Sequence, residues 1–142
     1  MISLSDIKNV HFVGIGGISM SGLGQILLES GYKVTGSDIS DSNLISKLRK
    51  NGAKVSIPHN PKNVESAELV VYTAAVKQDN CEIIRAKELG IPVMDRATFL
   101  GMIMKNYKYG IAVAGCHGKT TTTSIASIII KNAGLDPTIL VG

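Results

Sequence analysis

Val10-His-Phe-Val-Gly14-Ile-Gly16-Gly17-Ile-Ser-Met-Ser-Gly22 decides the fold. A short apolar strand runs into glycines, and a helical pattern over residues 18–30 begins at once. Glycine serves two needs in such a turn. It accepts positive φ, and its missing Cβ lets backbone N–H groups approach an anion. A strand, a glycine turn and a helix start together aim amides and the positive helix end at a phosphate. The next strand, residues 32–36, leads to Asp38, where a carboxylate commonly accepts hydrogen bonds from ribose hydroxyls. The G-x-G-x-x-G pattern is incomplete, because Ser19 holds the third glycine position. The loop therefore favours phosphate binding over a plain packing turn but leaves the nucleotide open.

Outward from this unit the pattern alternates. Leu23, Ile26 and Leu27 share one side of the first helix, and Gly31 supplies its left-handed end. A second helix over 42–51 turns Leu44, Ile45 and Leu48 inward, with Gly52 after it. Strands follow at 54–57 and 69–72. The latter, Leu69-Val-Val-Tyr72, is apolar without alternation, as a strand covered on both faces should be. Asp79-Asn-Cys-Glu82 reads as a capping box, with Asp79 capping a helix that runs to Leu89 and Glu82 reaching back. Pro92 puts the strand at 91–94 near a sheet edge. A helix over 96–105 buries Phe99, Leu100 and Ile103. Such alternation predicts an α/β fold, a mostly parallel sheet with helices on both faces and right-handed crossovers.

Asn106-Tyr107-Lys108 is the best boundary, dividing 1–106 from 107–142. Beyond it a second unit starts: a strand at 109–114, the loop Gly115-Cys-His-Gly-Lys-Thr-Thr121, and a helix over 119–132. Lys119 can neutralise phosphate charge, Thr120 can place its hydroxyl on Mg²⁺, and amides around Gly118 can cradle phosphates. A strict phosphate loop would carry glycine at 113, where Val113 stands; the alternative is an exposed lysine in a helix cap. Cys116 reads as a loop residue, since its only candidate base, His117, is its neighbour in sequence. Residues 139–142 begin another strand. Too few residues follow for a whole nucleotide-binding domain, so the chain is expected to be part of a longer one.

Composition narrows the function. The 142 residues are 44% hydrophobic and 18% charged, which forms a core and argues against disorder. No apolar run approaches the roughly 18–20 residues of a membrane span. The N-terminal residues lack a basic region followed by an apolar stretch, so no export signal is expected, and with it reduced thiols at Cys81 and Cys116 and a cytoplasmic setting. Neither cysteine belongs to a C-x-x-C metal pair. The net charge of +4 is scattered, with four Tyr, two Phe and no Trp. That is poor material for stacking bases, so no nucleic acid and no membrane are expected as partners. A modest positive field suits a small anion.

The two loops in this order, His11-Phe-Val-Gly-Ile-Gly-Gly-Ile-Ser-Met-Ser-Gly22 and Ala114-Gly-Cys-His-Gly-Lys-Thr-Thr-Thr122, resemble the Mur ligase family. The likeness is greatest to the branch that joins L-alanine to UDP-N-acetylmuramate. Gly36-Ser-Asp38, Val71-Tyr-Thr-Ala-Ala-Val76 and Asp95-Arg-Ala97 extend the resemblance over essentially the whole chain. It implies a three-domain bacterial enzyme of peptidoglycan synthesis. A Rossmann-like N-terminal domain would bind the UDP moiety, a central domain would bind ATP and Mg²⁺, and a third would help place the amino acid. The muramoyl carboxylate would be phosphorylated by ATP, and the L-alanine amine would attack the acyl phosphate.

The resemblance also implies residue roles. Gly14, Gly16, Gly17, Ser19 and Met20 would surround the diphosphate, and Ser37 and Asp38 would face the nucleoside. Thr73, Ala74 and Ala75 would line the opposite side. His59 would touch the uridine, with a solvated loop histidine as the alternative. Gly115, Cys116, His117, Gly118, Lys119, Thr120 and Thr121 would hold ATP, with Lys119 the catalytic group and Thr120 on Mg²⁺. Cys116 stands where Thr is usual, and Ala74 where Ser is common. These 142 residues should bind the UDP portion and be inactive as a ligase alone. Competing readings are an NAD(P)-dependent oxidoreductase, resting on Gly14, Gly16 and Asp38; a free-standing UDP-sugar module; and the related ligase that recycles murein tripeptide.

Overall fold

In a computed structural model, which describes residues 2–142, five strands and five α-helices follow the expected alternation. They are β1 (Asn9–Val13), α1 (Ile18–Glu29), β2 (Lys33–Ser37), α2 (Asn43–Lys50), β3 (Lys54–Ser56), β4 (Leu69–Tyr72), α3 (Cys81–Glu88), β5 (Val93–Asp95), α4 (Arg96–Met104) and α5 (Lys119–Asn132). Short 3₁₀ turns at Leu4–Asp6 and Pro61–Val64 were not legible in the pattern.

The strands pair in the order β3-β2-β1-β4-β5, all parallel. Their side chains explain the apolar runs. Leu69 and Val71 of β4 join Val10 and Phe12 of β1 in one core, under α1, α2 and α4. Val70 and Val13 face the opposite side, against Val64, Ala67 and Ala86 of α3. A strand with apolar layers on both faces has no use for alternation. Phe12 and Phe99 meet edge to face, centroids 5.7 Å apart, an arrangement that suits the ring quadrupoles. β5, which Pro92 precedes, lies at an edge, as expected.

Chain order reverses between β1 and β4, so the carboxyl ends of these strands flank the crevice where open α/β sheets bind ligands. In register, Val13 pairs with both Ser37 and Tyr72 at that end.

Three expectations need correction. The capping box does not form: Asn80, not Asp79, caps α3, its Oδ1 accepting the Glu82 N–H at 2.9 Å. The Glu82 side chain turns inward instead. Residues 109–114 and 139–142 are not strands. An isolated strand leaves its backbone groups unpaired, and this segment meets no sheet edge; Tyr109 is 79% and Ile111 69% exposed. α5 forms, but none of its residues is buried. The end of the chain lies back on α1: a Cβ built at Gly22 would come within 2.5 Å of the Leu140 side chain. Among the described residues, no helix is long and apolar enough to cross a membrane.

Candidate nucleotide-binding site

The first loop is built into the sheet. Gly14 has φ +84°, and a Cβ there would lie 2.6 Å from Thr73 Cγ2. Only glycine meets both conditions without strain. The N–H groups of Gly14 and Ile15 both donate to the Ser37 carbonyl, at 2.8 and 3.0 Å. The Gly16 N–H donates to Asp38 Oδ2 at 2.7 Å. Thr73 closes the other side, its N–H donating to the Val13 carbonyl. Gly17 is the N-cap of α1 and supplies no side-chain acceptor. The N–H groups of Ile18, Ser19 and Met20 thus lie in the first turn without intrahelical partners, the geometry that attracts an anion. Arg96, first residue of α4, reaches across to this turn and donates from Nη1 to Ser19 Oγ at 2.9 Å.

Behind the loop lies a buried polar cluster. Glu82 is fully buried. Its Oε2 accepts from Ser37 Oγ and from His11 Nε2 at 3.3 Å, with His59 Nδ1 at 3.5 Å. Its Oε1 accepts from the Asn60 N–H at 3.0 Å and from Asn63 Nδ2 at 2.6 Å. His59 Nδ1 also lies 2.7 Å from Ser37 Oγ, and His11 Nδ1 lies 2.9 Å from Thr35 Oγ1. Burial alone would raise the Glu82 carboxyl, but donation from His11 and Ser37, the His11 charge and the Asn60 N–H together lower it to about 2. A carboxylate with this many donors is satisfied only when ionised.

The second loop stands in the open. Gly118 (φ +76°) is the N-cap of α5, with no side-chain cap bond. A Cβ there would meet nothing within 4 Å. The Lys119 ammonium folds back to donate to the Gly115 carbonyl. The Thr122 N–H donates to the Gly118 carbonyl, leaving the amides of Lys119, Thr120 and Thr121 as the free donors of the first turn. Open amides, a lysine ammonium and a threonine hydroxyl fit a nucleotide triphosphate and a hard cation. Gly115 to Thr121 are all exposed.

The sheet therefore brings Gly14, Gly16, Gly17, Ser19, Asp38 and Thr73 to one crevice, with Ala74 and Ala75 exposed in the adjoining turn. Two expected roles change. Met20 is 1% exposed and packs into the core, so only its amide faces the loop. Ser37 is fully buried and its hydroxyl is held by Glu82, so it does not face a nucleoside. His59 is no free loop side chain, because Ser37 anchors its ring.

The sequence reading assigned neither Arg96 nor Glu82 to the site, although each left a signal. A cation in the first turn of a helix opposes the macrodipole and calls for a compensating partner. A histidine inside the apolar run Val10-His-Phe-Val calls for a buried polar one.

A family model described as "Mur ligase family, catalytic domain" matches residues 9–108. The UDP-N-acetylmuramate–L-alanine ligase of Caldanaerobacter subterraneus subsp. tengcongensis is 63% identical over 99% of this chain, and that of Alkaliphilus metalliredigens 60% over 96%. The chain spans 31% and 30% of the lengths of those relatives. Among solved structures, the UDP-N-acetylmuramate–alanine ligase of Thermotoga maritima superposes with a TM-score of 0.83 at 37% identity, covering 89% of this chain and 30% of that one. A murein peptide ligase of Psychrobacter arcticus gives 0.84 at 30% identity, covering 91% and 27%.

Proposed function

The chain belongs to the Mur ligase family, and from that premise we propose that it is the substrate-binding part of a ligase joining L-alanine to the carboxylate of UDP-N-acetylmuramate. In this reading residues 1–106 bind the UDP portion and residues 107–142 open the ATP-binding unit. The observation that carries it is the crevice at the carboxyl ends of β1 and β4, where the open first turn of α1 meets the Arg96 guanidinium. Amides and a guanidinium form a donor set for a diphosphate. Gly14, Gly16 and Gly17 keep side chains out of that approach, and Ser19 and the Met20 amide would complete it. Asp38, Thr73, Ala74 and Ala75 would border the sugar-nucleotide, and His59 its base.

The second loop would hold ATP through the amides of Gly115, Cys116, His117, Gly118 and Thr121, with Lys119 on the phosphates and Thr120 on Mg²⁺. A carboxylate approaching ATP gathers several negative charges, which bound Mg²⁺ would offset. Lys119 and the aligned amides of α5 would do the same from the protein side, most strongly as charge moves. Both substrates belong to the cytoplasm in this reading. Fold alone does not separate it from tripeptide recycling, since both kinds of ligase superpose equally well. Among these solved structures identity favours L-alanine addition, at 37% against 30%.

Calorimetric titration of the chain tests this. UDP-N-acetylmuramate and UDP should bind and NAD⁺ should not. Arg96→Ala should weaken UDP about tenfold, the scale of one charge-assisted hydrogen bond. Binding of NAD⁺ without the UDP-sugar would replace the ligase reading with a dinucleotide site.

A further inference from the structure

Glu82 lies behind the crevice and has no place in the roles assigned above. Its hydrogen bonds can be resolved by donor counting. An ionised carboxylate only accepts, so the single Ser37 hydroxyl proton points to Glu82 Oε2. The Ser37 oxygen must then accept from His59, which puts a proton on His59 Nδ1. In neutral His59 the other nitrogen, Nε2, is left as an acceptor. That atom makes no hydrogen bond among the described residues, and the ring is 15% exposed. The same serine carries the carbonyl that receives the Gly14 and Ile15 N–H groups. The residue after it, Asp38, receives the Gly16 N–H. One buried carboxylate thus sits a single residue away from both the glycine loop and the half-buried histidine.

We propose that Glu82 is a positioning residue for the nucleotide crevice, fixing Ser37 behind the glycine loop and holding His59 in the tautomer that presents Nε2 as an acceptor. The role rests on the UDP-sugar reading of the crevice. It is a matter of donor direction, not of volume. Every partner of the Glu82 carboxylate donates, through Ser37, His11, Asn60 and Asn63. A glutamine of the same size would turn an NH₂ group toward one set of donors. If Glu82 acted only by filling space, Glu82→Gln would restore its function.

The test combines imidazole ¹⁵N spectra, recorded above the ordinary histidine range, with UDP titration of the wild-type chain, Glu82→Gln and Ser37→Ala. The second variant keeps the His11, Asn60 and Asn63 bonds and removes one hydroxyl, with both its donation to Glu82 and its anchor on His59, so it serves if Glu82→Gln fails to fold. Wild-type His59 should carry its proton on Nδ1. Each folded variant should show mixed His59 tautomers and bind UDP about tenfold more weakly, near the cost of one misplaced hydrogen bond. Unchanged affinity in a folded variant, or a wild-type His59 protonated on Nε2, overturns the positioning role while leaving the UDP-sugar reading in place. Absence of UDP binding by the wild type overturns that reading, and this role with it.

Discussion

Two glycine loops open two helices of similar length, 12 residues in α1 and 14 in α5. Gly14 and Gly118 hold nearly the same left-handed backbone, φ +84° and +76°. Their surroundings differ. Gly14 faces Thr73 across the crevice, and its N–H is bonded to the end of β2. Gly118 faces open space, and its helix buries nothing. The glycine turn and the open helix start are therefore local properties that form with or without a sheet. Rigidity is a property of the context: strands of the first unit tie its loop down, and no strand does so for the second.

The contrast can be broken most forcefully at Glu82. Removing this carboxylate leaves buried donors unpaired, so Glu82→Ala should cost about 3–5 kcal/mol, while Lys119→Ala, at an exposed position, should not move the unfolding midpoint appreciably. Denaturant unfolding of both variants checks this. The carboxyl falls from 4.5 to about 2 on folding. Ionised Glu82 therefore contributes stability that is complete above about 4.5 and lost as pH drops through about 2. The pH profile of the unfolding free energy should show that acid limb in the wild type and lose most of it in Glu82→Ala.

A smaller effect sharpens the comparison between glycines. Gly14→Ala imposes both positive φ and a clash with Thr73 and should cost about 2–4 kcal/mol, whereas Gly118→Ala imposes positive φ alone and should cost about 1–2 kcal/mol. Thermal unfolding of the two variants, read at the strands, would separate them. Smallest is the link between the regions. Leu140→Ala removes a partly buried contact on Gly22 of α1 and should lower stability by about 1 kcal/mol. An effect as large as that at Gly14 would show the tail to be part of the first unit's core.

These regions also differ in how much the sequence discloses. Over residues 9–104 the strands and α-helices are legible to within about two residues, because glycines and capping side chains mark their ends and apolar runs mark doubly covered strands. Crevice residues around Gly14, Gly16 and Asp38 were legible for the same reason: they sit at element ends. Glu82 was misread because a capping box is a local pattern, while its true partners lie far along the chain, at His11, Ser37 and Asn63. Only tertiary packing could select between the two destinations. Ser37 was misjudged in the same way, as adjacency to Asp38 suggested a ligand contact that burial forbids. Residues 109–114 have strand composition, but a strand is a property of a pair, and composition cannot supply the neighbour.

If the two loops serve different ligands, amide chemical-shift mapping of the isotopically labelled chain should separate them. UDP-N-acetylmuramate should perturb amides at 14–20, 38 and 73–75, together with the Arg96 side chain, and leave 115–121 unmoved. MgATP should do the reverse. Perturbation of 115–121 by the UDP-sugar, or of 14–20 by NAD⁺ but not by the UDP-sugar, would contradict the account.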